Sequence, residues 1–188
     1  MTENNKETLE QLANLEEVKS KSLTINEPVA GARAEQPYVS IPIELTLKEW
    51  EKANTLVGEI FAWLGEKEVQ PSGAPFFRYL VIGDTEKKFK LEVGVPITSP
   101  MFGDERVITG TIPAGKYATL VHIGHPDCIG NSFTVLEEWA KDHDIEWDNQ
   151  MEGEEELWGG RFEYYLTDPA VEPNLEKWST EIAYKIRE

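Results

Sequence analysis

The sequence holds one cysteine, Cys128, in 188 residues, so no intramolecular disulfide can form and a disulfide scaffold is excluded. It has no apolar run near the ~20 residues that span a bilayer, and no transmembrane helix is expected. Positive charge is scarce: 18 Lys and Arg stand against 35 Asp and Glu, for a net charge of -17. A surface of that sign repels phosphates, which argues against direct nucleic-acid binding. Histidine is scarce too. His122, His125 and His143 show no spacing typical of a metal site. No Ser-His-Asp or Cys-His signature is present, and Gly103-Asp104-Glu105-Arg106 and Gly159-Gly160 are too thin for phosphate loops. No metal and no cofactor are therefore expected. The opening Met1-Thr-Glu-Asn-Asn-Lys-Glu7 is polar and acidic, unlike a secretory signal. With a single thiol, this predicts a cytoplasmic protein.

The residues that remain are 40% apolar, enough for a real core. The acidity suits a cationic ligand or a basic protein partner. Residues 1–36 read as an N-terminal extension, a short helix or a disordered stretch. Leu9, Leu12, Leu15 and Val18 recur at three-residue steps, which permits a short amphipathic helix, and residues 24–36 are linker-like. No helix-turn-helix pattern is evident, so a complete transcription activator is not expected.

Residues 37–188 read as one α+β domain built from two strand–helix–strand–strand units, about 37–98 and 105–188. Pseudo-two-fold symmetry and antiparallel sheets are expected. In the first unit, Tyr38–Leu45 is a strand and Leu47–Gly65 a helix. Thr46 and Glu49 form its capping box, Gly65 its C-cap, and Trp50, Leu56, Val57, Ile60, Phe61 and Leu64 its apolar stripe. Phe76–Ile82 and Phe89–Ile97 form a hairpin around Gly83-Asp-Thr-Glu86. In the second unit, Arg106–Ile112 and Lys116–Ile123 flank a Pro113-Ala-Gly115 turn. A helix follows over Ser132–His143, then a long loop, then strands at Arg161–Thr167 and Lys177–Ile186.

Four short motifs stand in order: Thr109-Gly-Thr-Ile-Pro-Ala-Gly-Lys-Tyr-Ala118, His122-Ile-Gly124, Phe162-Glu-Tyr-Tyr-Leu-Thr-Asp-Pro169 and Thr180-Glu-Ile182. Together they resemble the gyrase-inhibitor-like (GyrI-like) family, which includes the effector-binding domains of bacterial multidrug-responsive transcription activators. The resemblance covers roughly residues 38–186. It implies a duplicated architecture with a ligand cleft between the repeats. It also implies that Glu163, in the Phe-Glu-x-Tyr strand, is the ligand-contacting acid. Some members of that family hydrolyse reactive cyclopropane-bearing compounds.

Strand parity extends the site. Phe162, Tyr164 and Leu166 share one face of their strand, and Glu163 and Tyr165 the other. Glu181 alternates with Thr180 and Ile182. The apolar sets are expected under the helices, which sends Glu163, Tyr165 and Glu181 into the groove. The same reasoning gives Arg78 and Glu92 in the first unit, with Arg78 opposite Glu163. Tyr38 and Tyr117 are candidate walls, and Trp158 a candidate lid. A lipophilic cation needs aromatic faces and a carboxylate counter-charge, and these residues supply both. The expected function is stand-alone binding of amphipathic, cationic small molecules. A hydrolase with Glu163 as general acid/base and Tyr165 as helper is a second reading. An acidic protein-interaction regulator of a DNA-processing enzyme is a third.

Overall fold

The computed structural model describes residues 24–82 and 88–188. The helix expected around Leu9–Val18 and the Gly83–Glu86 turn lie outside the described residues. The strands are β1 (Thr24–Ile25), β2 (Val29–Arg33), β3 (Gln36–Leu45), β4 (Phe76–Ile82), β5 (Phe89–Pro96), β6 (Ile108–Ile112), β7 (Gly115–Ile123), β8 (Asn149–Glu152), β9 (Glu155–Trp158), β10 (Arg161–Tyr165) and β11 (Ser179–Lys185). The α-helices are α1 (Glu51–Glu66) and α2 (Ile129–Asp142). All the strands join one curled antiparallel sheet, ordered β1-β7-β11-β10-β4-β5-β3-β6. β2 also pairs with β7, and the β8–β9 hairpin joins β4 through β9. The architecture is α+β, as expected.

Both helices lie on one face. Ala53, Leu56, Ile60 and Leu64 of α1 pack on Val39, Ile41, Phe77, Tyr79, Leu91 and Val93. Leu136 of α2 packs on Ala118, Leu120, Ile182 and Tyr184. The opposite face closes over a second cluster, almost wholly aromatic: Tyr38, Phe76, Tyr117, Phe162 and Tyr164, with Ile112 and Ala183. Burying such a set from water is a large stabilising contribution, about 1.5–3 kcal/mol for each large apolar side chain.

Several expectations change. Residues 24–36 are not a linker: they form β1, β2 and the start of β3. β2, Val-Ala-Gly-Ala-Arg, has mostly exposed side chains and carries no apolar alternation. It is held through its backbone pairing with β7. The loop before Arg161 contains the β8–β9 hairpin, whose glutamates gave no strand signal. Gly65 does not end the first helix, which runs to Glu66 with Lys67 as cap. Its first turn, Leu47–Glu49, is 3-10 helix; Glu49 accepts the Thr46 N–H at 3.1 Å, as the capping box requires. Finally, Phe162 and Tyr164 do not lie under the helices. β10 pairs Glu163 with Phe77 and Phe162 with Arg78, which turns Phe162 and Tyr164 to the aromatic face. Both faces of this sheet are apolar, so the alternation within β10 does not say which one meets the helices.

Candidate functional site

A cleft of about 530 Å³ opens on the helix face, between α1 and α2. Asn54 lines it from α1 and Trp50 from the N-cap of that helix, and Ile129 and Phe133 from α2. Tyr79 of β4 and Arg161, Glu163 and Tyr165 of β10 also line it. A neighbouring cleft of about 680 Å³ shares Asn54, Tyr165 and Trp178 with it and continues over Val57, Phe61, Pro75 and Leu166. The two clefts adjoin at these three residues; Arg161 and Glu163 line the first where it crosses β10, and Val57, Phe61, Pro75 and Leu166 give the second its apolar wall.

Glu163 is the buried charge of this groove, at 5% exposure. Its place follows from local sequence: it sits mid-strand in β10, and pairing with Phe77 and Ile182 turns it toward the helices. Its Oε1 accepts the Tyr79 hydroxyl at 2.6 Å and its Oε2 the Tyr165 hydroxyl at 3.1 Å. Burial pushes the Glu163 carboxyl above the ordinary carboxylate range; the two phenols and the charge of Arg161 pull it partly back. Burial and the adjacent carboxylate push the phenols of Tyr79 and Tyr165 well up, so they remain donors. Trp50 stacks on Tyr79 at 6.1 Å between ring centres, and Phe77 meets Tyr165 edge-on at 4.9 Å. The result is a carboxyl held in place by two hydrogen bonds among aromatic rings.

Of the residues expected at the site, only Glu163 and Tyr165 line this groove. Glu181 pairs with Tyr164, not with Glu163, so it lies on the other face and binds Arg33 at 2.9 Å. Arg78 is not opposite Glu163. It also lies on the aromatic face, where its Nη1 donates to the Tyr38 hydroxyl at 2.6 Å and stands 3.9 Å from Glu92. Tyr38 in turn donates to Glu92. Tyr38 and Tyr117 are buried in the aromatic cluster. Trp158 is no lid; it packs against Tyr184 and Trp147 in the core beside α2.

Parity could have found Arg161, two residues before Glu163 on the same strand face. Nothing local to β10 announces Tyr79, Trp50 or Phe133, which arrive from β4, the N-cap of α1 and α2. Among the described residues, no group of His, Cys, Asp and Glu is arranged to hold a metal ion.

The model of the GyrI-like small molecule binding domain matches residues 33–187. No protein of curated function matches the chain by sequence. Among solved structures, the chain resembles EcmrR in its DNA complex, with a TM-score of 0.70 at 15% identity. That match covers 97% of this chain and 64% of EcmrR, so the chain spans under two thirds of that protein. The EcmrR C-terminal domain alone gives a TM-score of 0.66 at 17% identity, over 86% of this chain and 97% of the domain. SAV2435 bound to tetraphenylphosphonium gives 0.54 at 14% identity, over 86% of this chain and 94% of that one. At these identities the likeness is one of fold.

Proposed function

The chain belongs to the GyrI-like small molecule binding domain family, and on that footing we propose that it binds amphipathic compounds with a cationic centre in the groove over Glu163. The observation that carries this reading is the Glu163 carboxyl itself, 5% exposed, fixed by Tyr79 and Tyr165 and set among aromatic rings. A buried carboxyl with a raised pKa gains most from a positive partner, because that partner offsets the desolvation of the ionised form. The rings of Trp50, Phe133 and Trp178 add cation–π and apolar contact, roughly 0.5–2 kcal/mol for each cation–π pair. The apolar continuation past Phe61 suits the hydrophobic body of such a compound. SAV2435, which shares the fold, binds a lipophilic cation, tetraphenylphosphonium.

Tetraphenylphosphonium is accordingly the first probe. Trp50 and Trp178 line the groove, so titration should quench tryptophan fluorescence saturably. The affinity should rise with pH. The cation prefers ionised Glu163, whose pKa in the free protein stands above the ordinary 4.5. Below that raised value each pH unit should cost up to about tenfold in Kd, and above it the dependence should flatten. Quenching that never saturates, or a Kd indifferent to pH from 4.5 upward, would sink the proposal.

A further inference from the structure

Arg161 is a second charged group in the groove, and cation capture by Glu163 makes no use of it. It precedes Glu163 by two residues in β10, so both side chains leave the strand on the same face, roughly 7 Å apart along it. Its guanidinium carbon lies 4.5 Å from the ring centre of Tyr184 and 4.8 Å from that of Trp158. Tyr79 and Phe133 stand farther off, at 5.5 and 5.8 Å. The rings hold the cation by their faces. Among the described residues no carboxylate or carbonyl accepts from the Arg161 side chain, and its buried Nε has no partner. Tyr184 and Trp158, the two rings closest to it, each keep a buried donor without an acceptor, the Tyr184 hydroxyl and the Trp158 Nε1.

This arrangement bears on what enters the groove. A guanidinium presents five N–H donors in a rigid fork suited to a carboxylate, sulfonate or phosphate. A ligand with a bare positive centre beside Glu163 meets a permanent like charge one strand repeat away. A ligand that carries an anionic acceptor next to its cationic centre meets Glu163 and Arg161 each with the opposite sign, while Asp127 and Asp168 line other parts of the wall. We propose that the groove selects zwitterionic amphiphiles, with the cationic centre on Glu163, the anionic acceptor on Arg161 and the apolar body running toward Phe61. This rests on the reading of the groove as a receptor for compounds with a cationic centre.

The test uses the full chain and two dyes with one body: a styrylpyridinium bearing an N-propyl arm, a plain cation, and its N-(3-sulfopropyl) counterpart, a zwitterion. Fluorescence titration of the native protein should show the sulfopropyl dye binding at least ~10-fold tighter, since a charge-assisted contact is worth at least one decade. Arg161→Gln should erase that preference, and Glu163→Gln should weaken both dyes. Equal affinities in the native protein, or a preference that survives Arg161→Gln, overturn the proposal. The two-dye comparison on the native protein decides the matter even where the Arg161 variant misfolds. If the propyl dye binds saturably and depends on Glu163 but the sulfonate adds nothing, the zwitterion proposal falls and the cation receptor stands. If neither dye saturates, both fall.

Discussion

Glu163→Gln should weaken tetraphenylphosphonium binding at least ~30-fold and, at neutral pH, make the protein more stable. The two effects share one cause. Glutamine keeps the volume and an acceptor for the Tyr79 or Tyr165 hydroxyl, so the groove retains its shape. It loses the charge that faces the ligand. The phosphonium cannot hydrogen-bond, so the loss is coulombic: coupling in a close, desolvated charge pair is about 1.5–7 kcal/mol, and ~2 kcal/mol is already about 30-fold.

The stability change has the opposite sign. The folded-state pKa of Glu163 is raised above its unfolded value near 4.5. The stability it contributes is therefore fully present below pH 4.5 and is lost as pH rises through the folded value. Above that, the folded state holds an ionised carboxylate at 5% exposure, which glutamine removes. The variant should gain about 0.5–2 kcal/mol at neutral pH, the range typical of relieving a functional compromise. The gain should vanish below pH 4.5. Thermal melts of both proteins on either side of that value measure it. A variant less stable at neutral pH would mean that Arg161 and the two phenols already compensate the charge, and a ligand cation would then add little.

The residues legible in the sequence were those whose role is set within one strand or helix. Glu163 and Tyr165 share a face because they are two apart, and that relation needs no partner strand. The same two-residue step reaches Arg161, which a search for counter-charges to a cation passes over. Glu181 shows where such reasoning stops. Parity says that it alternates with Ile182, but register alone says whether Ile182 or Glu181 faces Glu163. A one-residue slip exchanges the two faces. The usual arbiter, one apolar and one polar face, is missing, because helices cover one face and an aromatic cluster fills the other. Arg78 and Glu92 are cross-strand partners on the face of the sheet opposite Glu163, not in its groove. β2 and the β8–β9 hairpin were illegible for a different reason. The side chains of β2 and β8 are mostly exposed, and β9 opens on two glutamates before Leu157 and the buried Trp158; backbone hydrogen bonds hold all three, to which the pattern of side chains is blind.

The separation of the two faces yields the other large effect. Phe76 is fully buried and meets Tyr38 at 5.2 Å and both Phe162 and Tyr164 at 5.5 Å between ring centres. Phe76→Ala should cost about 3–5 kcal/mol, measured by denaturant unfolding. Across the strand pair its partner is Gly94, and the ring lies on that glycine. A Cβ at Gly94 would stand 2.5 Å from the Phe76 Cζ. Three neighbouring rings block the retreat of Phe76, so Gly94→Ala should cost about 1–3 kcal/mol by overpacking. In a Phe76→Ala background the obstruction is gone, and Gly94→Ala should be close to neutral. The coupling between the two substitutions, of order 1–3 kcal/mol, is the signature of direct contact. Simple additivity would mean that the ring does not rest on Gly94. The aromatic cluster and the Glu163 groove lie on opposite faces of the sheet, so folded Gly94→Ala protein should bind tetraphenylphosphonium as the native chain does. Lost affinity in a variant that still unfolds cooperatively would show that the second face shapes the groove through the sheet, and that binding and packing are not separable in this fold.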